Sequence, residues 1–312
     1  MVVIVLFAVL LALATVTGFA GGFWWVLDVV ANFRVQYLVA LTLLGLVLLV
    51  GRRWRWGLVA TAGAAVNLAV ILPLYLAPPA SAPPGTPVLR VVSFNLFAAN
   101  ERYQDLIGFL RVVDADVVLL HEASLPWEEA LTEADLDYSI TRSRREQLIF
   151  GTLVLAPGGA QVSSFGFAAE EPRAVEVTTE LAGEVIRILG VHPLAPTTEP
   201  RAAFRDAQLA NASQWAASQN VPAAVVGDLN ATPWSYPFRR MLADGGLRDS
   251  QQGFGLQASF PVSPAWARVP IDHLLHTPDV IVVDRFLGPD LGSDHFPLVV
   301  DLALDLPAGP GS

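Results

Sequence analysis

The chain of 312 residues contains no cysteine and no lysine. Without thiols it has no disulfide framework, no thiolate nucleophile and no Cys-ligated zinc site, and the redox compartment stays open. Without lysine, Schiff-base catalysis and Lys-dependent phosphate loops are excluded; all 19 basic residues are arginine. Charge of either sign is scarce, at 15% of residues against 53% hydrophobic, and the mean hydropathy of +0.49 is too high for a purely soluble enzyme. The little charge there is divides unevenly. Residues 1–87 hold Arg34, Arg52, Arg53 and Arg55 against Asp28, a net of +3, so the rest of a chain totalling −10 carries −13. So acidic a remainder argues against tight nonspecific grip on duplex DNA, which needs phosphate neutralisation. It does not argue against metal-dependent phosphate chemistry, where a cation offsets nearby carboxylates.

The apolar excess lies at the N-terminus. Residues 1–20 carry no charge, and runs over 35–50 and 57–76 follow, the last interrupted only by Asn67 and Pro73. Lacking the basic start of a secretory signal, the first run reads as an uncleaved transmembrane helix, and the three together as a membrane anchor. A soluble three-helix bundle would need a polar face that these runs lack. Arg34 is expected to extend the second span by snorkelling, and Trp24, Trp25, Trp54 and Trp56 fall at the ends, where aromatic belts belong. The Arg52-Arg53-Trp54-Arg55 loop places itself in the cytoplasm by the positive-inside rule, so everything after the third span is expected outside it. The expected organisation is a three-helix anchor over 1–76, a semi-rigid Pro-rich linker over 77–87, a catalytic domain over 88–304 and a disordered tail over 305–312.

The outer domain reads as strand-heavy. Strands are expected over 89–96, 116–121, 147–155, 174–179, 185–191, 223–227, 271–275, 280–286 and 298–302, and helices over 102–112, 126–134, 199–218 and 235–243. Several strands are apolar on both faces, as in sheets covered on each side. The pattern alone supports α/β or α+β.

Polar residues recur where the strand runs stop. These are Asn95, the His121-Glu122 pair, His192, the Asp228 and Asn230 pair, Asp272, and Asp294-His295 just before the last strand. If the chain is still extended at Gly227-Asp228-Leu229-Asn230, the side-chain period of two puts Asp228 and Asn230 on one face and Leu229 in the core. A carboxylate beside a carboxamide suits water attacking a phosphate, one orienting the proton and the other steadying an oxyanion. An Asx turn before Pro233 is the competing reading. His273 and His276 form His-x-x-His, but three residues apart on a strand they face opposite ways, and no cysteine assists a zinc site. Packing is the better account of that pair. Trp234 is expected at the substrate rim, and Arg144, with Arg142 and Arg145, at a phosphate approach.

In this order, Ser93-Phe94-Asn95, Glu122, His192, Gly227-Asp228-Leu229-Asn230, Ile271-Asp272-His273 and Ser293-Asp294-His295 resemble the endonuclease/exonuclease/phosphatase superfamily, the DNase I-like fold, over about 88–304. The resemblance implies an α+β fold, a four-layer αββα sandwich, here preceded by three transmembrane helices. It also implies Mg²⁺ (Mn²⁺ as a substitute) on Glu122 with Asn95 and Asp294 near the ion, Asp228 as the base, and Asn230 on the pentavalent phosphorus. His295, with Asp272 fixing its tautomer, and His192 would then flank the phosphate. The chain departs from the family's pattern at His121, where Gln is common before the metal-binding Glu, and it lacks basic DNA-reading insertions. The layout resembles the membrane-anchored bacterial branch associated with glycopeptide resistance, which implies the bilayer as partner and a polyprenyl pyrophosphate or other lipid-linked phosphoester as substrate. Extracytoplasmic cleavage of nucleic acid is the alternative. An inactive membrane-bound binding module would show gaps in the catalytic set, and there are none. No protein partner is expected.

Overall fold

A computed structural model describes residues 1–76, 82–83, 85–143, 151–166 and 174–305. The expected linker therefore lies partly, and the expected tail almost wholly, outside the described residues.

The N-terminal region is helical: α1 (Val2–Thr17), a short α2 (Trp25–Ala31), α3 (Arg34–Val50), α4 (Trp54–Ile71) and one further turn, α5 (Pro73–Leu76). Two stretches are long and apolar enough to cross a membrane, Val2–Ala20 and Trp54–Ile71; α2 and α3, bent by 63°, add a third if the pair is taken as one span. The helices meet over small residues, as apolar bundles do. A Cβ on Gly57 would stand 2.6 Å from Leu49 and one on Gly63 3.0 Å from Leu41. Arg34 does not snorkel. It is buried between the helices at the start of α3, where Nη1 donates to Asn67 Oδ1 (3.2 Å) and to the Thr15 carbonyl (3.3 Å), while Asn67 donates to Thr15 Oγ1 (2.8 Å). Asn67 sits on the facing helix, and a guanidinium with partners in reach need not seek the interface.

The remainder is a four-layer αββα sandwich. One six-stranded sheet joins β1 (Leu89–Asn95), β2 (Val117–Ala123), β3 (Ser139–Arg142), β4 (Gly151–Ala156), β11 (Val280–Leu287) and β12 (Leu298–Leu304), in the order β11-β12-β1-β2-β4-β3. The other joins β5 (Gln161–Phe165), β6 (Ala174–Leu181), β7 (Glu184–Gly190), β8 (Ala223–Asp228), β9 (Arg248–Asp249) and β10 (Asp272–His276), in the order β5-β6-β7-β8-β10-β9. Helices α6 (Tyr103–Val113) and α7 (Leu125–Glu133) cover the first sheet, and α8 (Glu199–Ala217) and α9 (Tyr236–Gly245) the second.

Period-two alternation sorts the strand residues into layers. Val91, Val117, Leu119, Ile186, Ile188, Ala224, Val226 and Leu274 meet between the sheets. Val92, Phe94, Val118 and Leu120 face α6 and α7. Val225 and Leu275 face α8 and α9. Each core β-strand thus serves two apolar layers, which is why it reads as a continuous apolar run.

Candidate active site

The site is the polar end of the inter-sheet layer. Counting in twos along β1 from Val91 gives Ser93 and then Asn95; along β8, Ala224 and Val226 lead to Asp228; along β10, Leu274 leads back to Asp272. β1 pairs parallel with β2, and β7 with β8, so all four β-strands finish at this end. β10 and β12 run antiparallel to their neighbours and begin here, which brings in Asp272 and the Asp294-His295 turn. Asp272 lies directly across the ladder from Asp228.

Two backbone devices complete the set. Leu120 pairs with Leu153 but Ala123 with Gly151, so β2 carries one extra residue, and Glu122 takes φ +55° within that bulge. His121 faces inward in phase with Val117 and Leu119, and the bulge turns the Glu122 carboxylate, which would otherwise face the helices, to the same site. Gly227 has φ +148°, and a Cβ there would lie 1.9 Å from the Val191 carbonyl oxygen and 3.1 Å from His121 Nε2. Only glycine lets β8 approach the His192 loop so closely.

The side chains converge on the Asp228 carboxylate. Asn95 Nδ2 donates to both Asp228 Oδ2 and Glu122 Oε1, each at 3.1 Å. His192 Nε2 stands 3.6 Å from Asp228 Oδ2 and 3.7 Å from Glu122 Oε1. On the other side His295 Nε2 is 3.6 Å from Asp228 Oδ2 and 4.0 Å from Asp294 Oδ1, while its Nδ1 bonds Asp272 Oδ2 at 2.8 Å. Asn230 donates its amide to the Pro193 carbonyl (3.0 Å) and its backbone N–H to Asp228 Oδ1 (3.0 Å). Asn95, Glu122, His192, Asp228, Asn230, Asp272, Asp294 and His295 therefore share one site.

Burial and charge oppose each other here. Burial alone would lower the His295 pKa, but the charges of Asp272 and Asp228 push it up to about 10, so the ring is a cation bracketed by carboxylates. Burial raises the Asp228 carboxyl above its ordinary value, against the pull of His295. Asp272 is held below the ordinary range: burial would raise it, and the His295 charge with its short hydrogen bond prevails. Burial drives His121 down to about 3, so that ring is neutral; it rests between Ser93 Oγ (3.4 Å) and Thr152 Oγ1 (3.3 Å) and lies 5.5 Å from the His192 ring.

Oxygen donors suited to a hard cation cluster at the mouth. Glu122 and Asp294 have side chains 29% and 39% exposed, the most open carboxylates of the set. Burial raises the Asp294 carboxyl, His295 opposes this, and the neighbouring Glu122 charge adds to the rise. An Asp294 carboxyl raised in part by the Glu122 charge, with the Asn95 carboxamide bonded to Glu122, fits a divalent ion that takes few protein ligands and keeps its waters. Asp228, Asp272 and His295 also offer ligand atoms within 4.8 Å of one another. That trio is a weaker cage, because the 2.8 Å bond between His295 and Asp272 already occupies a nitrogen and a carboxylate oxygen.

Other expected residues fall elsewhere. Trp234 is not at a rim: it is 3% exposed and packs with Ala31, Ile71 and Leu74 of the N-terminal helices. A tryptophan after a loop proline reads as a rim residue only while the covering helices are out of view. Arg144 and Arg145 lie outside the described residues. Arg142 is engaged by Glu128 (2.8 Å) and the Ala123 carbonyl. His273 donates from Nε2 to the Ala231 and Pro270 carbonyls, and His276 bonds the Thr277 carbonyl, so both are packed.

Sequence reasoning gave no role to several supporting residues. Ser293 Oγ donates to the Asn95 carbonyl (2.6 Å) and accepts from the His295 N–H (3.0 Å). Phe260 places its ring 4.7 Å from that of His295, and the buried Arg285 donates to the Asp272 carbonyl. Ser293 stood inside a recognised motif; Phe260 and Arg285 carried no local signal.

Residues 92–295 match the model of the Endonuclease/Exonuclease/phosphatase family. No protein of curated function matches the chain by sequence. Among solved structures it is similar to an endonuclease/exonuclease/phosphatase from Bacteroides vulgatus, with TM-score 0.59 and 16% identity over 70% of this chain and 99% of that one. Humanized D. rerio TDP2 gives 0.57 and 16% over 69% and 98%. The human Nocturnin catalytic domain with bound sulfate gives 0.55 and 18% over 70% and 94%. Identities this low establish the shared fold.

Proposed function

Because the chain belongs to the endonuclease/exonuclease/phosphatase family, and so hydrolyses phosphoesters, we propose that it does so by in-line attack of water on a lipid-linked phosphate at the membrane surface. Asp228, raised towards the range of a useful base and flanked by both histidines, orients the water and receives its proton. His295 keeps its Nδ1–H on Asp272 and presents Nε2–H to a phosphoryl oxygen. His192, across Asp228, donates to the leaving oxygen. Asn230 commits one amide hydrogen to Pro193 and turns the other to the oxyanion. Glu122 would hold Mg²⁺ or Mn²⁺ with Asn95 and Asp294 beside it, and the bound ion supplies charge to the phosphoryl oxygens.

The substrate class rests on how the catalytic domain meets the helices. Gln36, in the first turn of α3, donates to the carbonyls of Trp266 (3.3 Å) and Arg268 (2.8 Å). The loop so tethered has no charged residue from Ser250 to Ala267, and at its tip Trp266 is 78% exposed. Its other end reaches the site, where the Val262 N–H bonds the Asp294 carbonyl (2.8 Å) and Phe260 packs on His295. A lip whose one charge, Arg268, is turned onto the Pro261 and Val262 carbonyls, running from a span's end to the phosphate pocket, suits a substrate whose tail stays in the bilayer. The helix bundle supports an outward-facing orientation. Met1 packs near Gly51, so Arg52, Arg53 and Arg55 lie at the end opposite α2 and Leu74, where the catalytic domain is seated. With the arginines in the cytoplasm, as the positive-inside rule favours, the active site would lie outside.

The test presents the full chain, in vesicles with Mg²⁺, with a polyprenyl pyrophosphate or with supercoiled plasmid. Phosphate release from the lipid, abolished by EDTA and restored by Mg²⁺ or Mn²⁺, is the expected result. Plasmid nicking without phosphate release would overturn the lipid reading in favour of a nuclease.

A further inference from the structure

Asp28 is the one acidic residue among the first 87, and it is 1% exposed. It sits on α2, in the connection between the first span and α3, yet both its oxygens bond the catalytic domain. Oδ1 accepts the Tyr236 backbone N–H (2.7 Å), and Oδ2 accepts Arg205 Nη2 (2.8 Å). Arg205, on α8, is itself fully buried; its Nε donates to Asp206 (2.8 Å) and its Nη1 to the carbonyl of Asn230 (3.2 Å). One guanidinium thus joins a carboxylate of the membrane region to the backbone of the loop carrying the catalytic pair.

That loop is held from several sides. Asn230 adopts φ +49°, the left-handed region that asparagine enters more readily than other non-glycine residues. From there one bond runs to Asp228 and another to Pro193, next to His192. The rest of the loop is gripped by the same helices. Thr232 Oγ1 donates to Asn32 Oδ1 (2.9 Å), and Trp234 packs on Ala31, Ile71 and Leu74. A Cβ on Gly22 would lie 2.8 Å from the Tyr236 ring.

We infer that α2 belongs to the active-site scaffold and that Asp28 is a positioning residue, setting Asn230, and with it Asp228 and His192, through Arg205. Turnover then depends on how the membrane helices seat against the catalytic domain. The inference needs no particular substrate, so it stands or falls separately from the lipid reading.

Two variants of the full chain in vesicles test it, assayed on whichever of the two phosphoesters the wild type turns over. Asp28→Asn keeps the shape and removes the charge. Arg205→Lys keeps a positive charge opposite Asp28, with folding checked by the thermal midpoint, but a single ammonium cannot bridge Asp28 and the Asn230 carbonyl as the guanidinium fork does. Misplacing a reacting group by about 1 Å costs up to roughly 10²-fold. Both variants should therefore lose about tenfold or more in kcat, with KM and the Mg²⁺ concentration for half-activation within about threefold of wild type. Amide exchange should quicken in a peptide spanning 228–236 and stay unchanged in β1. Should Asp28→Asn fail to fold, Arg205→Lys alone decides. Wild-type kcat in Arg205→Lys, or a loss carried by KM alone, overturns the inference.

Discussion

At His295 two large effects compete, and the outcome is measurable. Its pKa in the folded protein is pushed from 6.5 up to about 10. A pKa raised by folding contributes stability that is complete below about 6.5 and lost as pH climbs through about 10. In chelator, the thermal midpoint of the wild type should fall over that window more steeply than that of His295→Gln; equal slopes would show that the Asp272 pair does not hold the ring charged. In the cation-loaded enzyme, His295→Ala should lower kcat by at least about 10²-fold, since losing one oxyanion donor costs about 10²–10³-fold. An unchanged rate in folded variant removes His295 from the mechanism. Much at this scale was legible, because a polar residue ending an apolar strand in phase with its inward face has few reasons to be there. Asp28 was not legible: a lone acid in an apolar stretch is a charge count until its partner 177 residues away is seen.

Single elements show where local pattern suffices and where it stops. The strands missed by alternation, β3, β5 and β9, are all sheet edges. These three are short and carry polar residues, so they lack the apolar run that marks an interior strand and that the other edge, β11, keeps over 280–283. The bulge that presents Glu122 was equally hidden, since an extra residue appears only against its partner strand. Gly227 looked like a strand's end, whereas it is a point of close approach between β8 and the His192 loop. Gly227→Ala should destabilise the fold by about 3 kcal/mol or more, from backbone strain plus a contact that cannot relax. The readout is the thermal midpoint in detergent, and a variant melting within a degree of wild type would contradict it.

For the molecule as a whole, hydropathy separated an apolar N-terminal region from a mixed sandwich but pictured them as joined only by a Pro-rich spacer. The two are also packed against each other. Besides Asp28, Asn32 and Trp234, the Leu74 carbonyl accepts the N–H groups of Gly253 (2.9 Å) and Gly255 (3.0 Å), and Tyr75 packs against Gly255. No pattern of period two or 3.6 encodes a contact between residues so distant in sequence.

This seating changes what a protease can achieve. Cutting the chain within residues 77–87 would sever the peptide and leave the two fragments clasped. A nicked preparation washed in high salt should keep its C-terminal fragment in the sedimented membranes, with turnover intact, because the clasp is largely buried and salt screens such pairs little. Release of that fragment into the supernatant would show that the tether, and not the interface, holds the halves together. Shedding of a soluble hydrolase by proteolysis is therefore a fate this architecture resists.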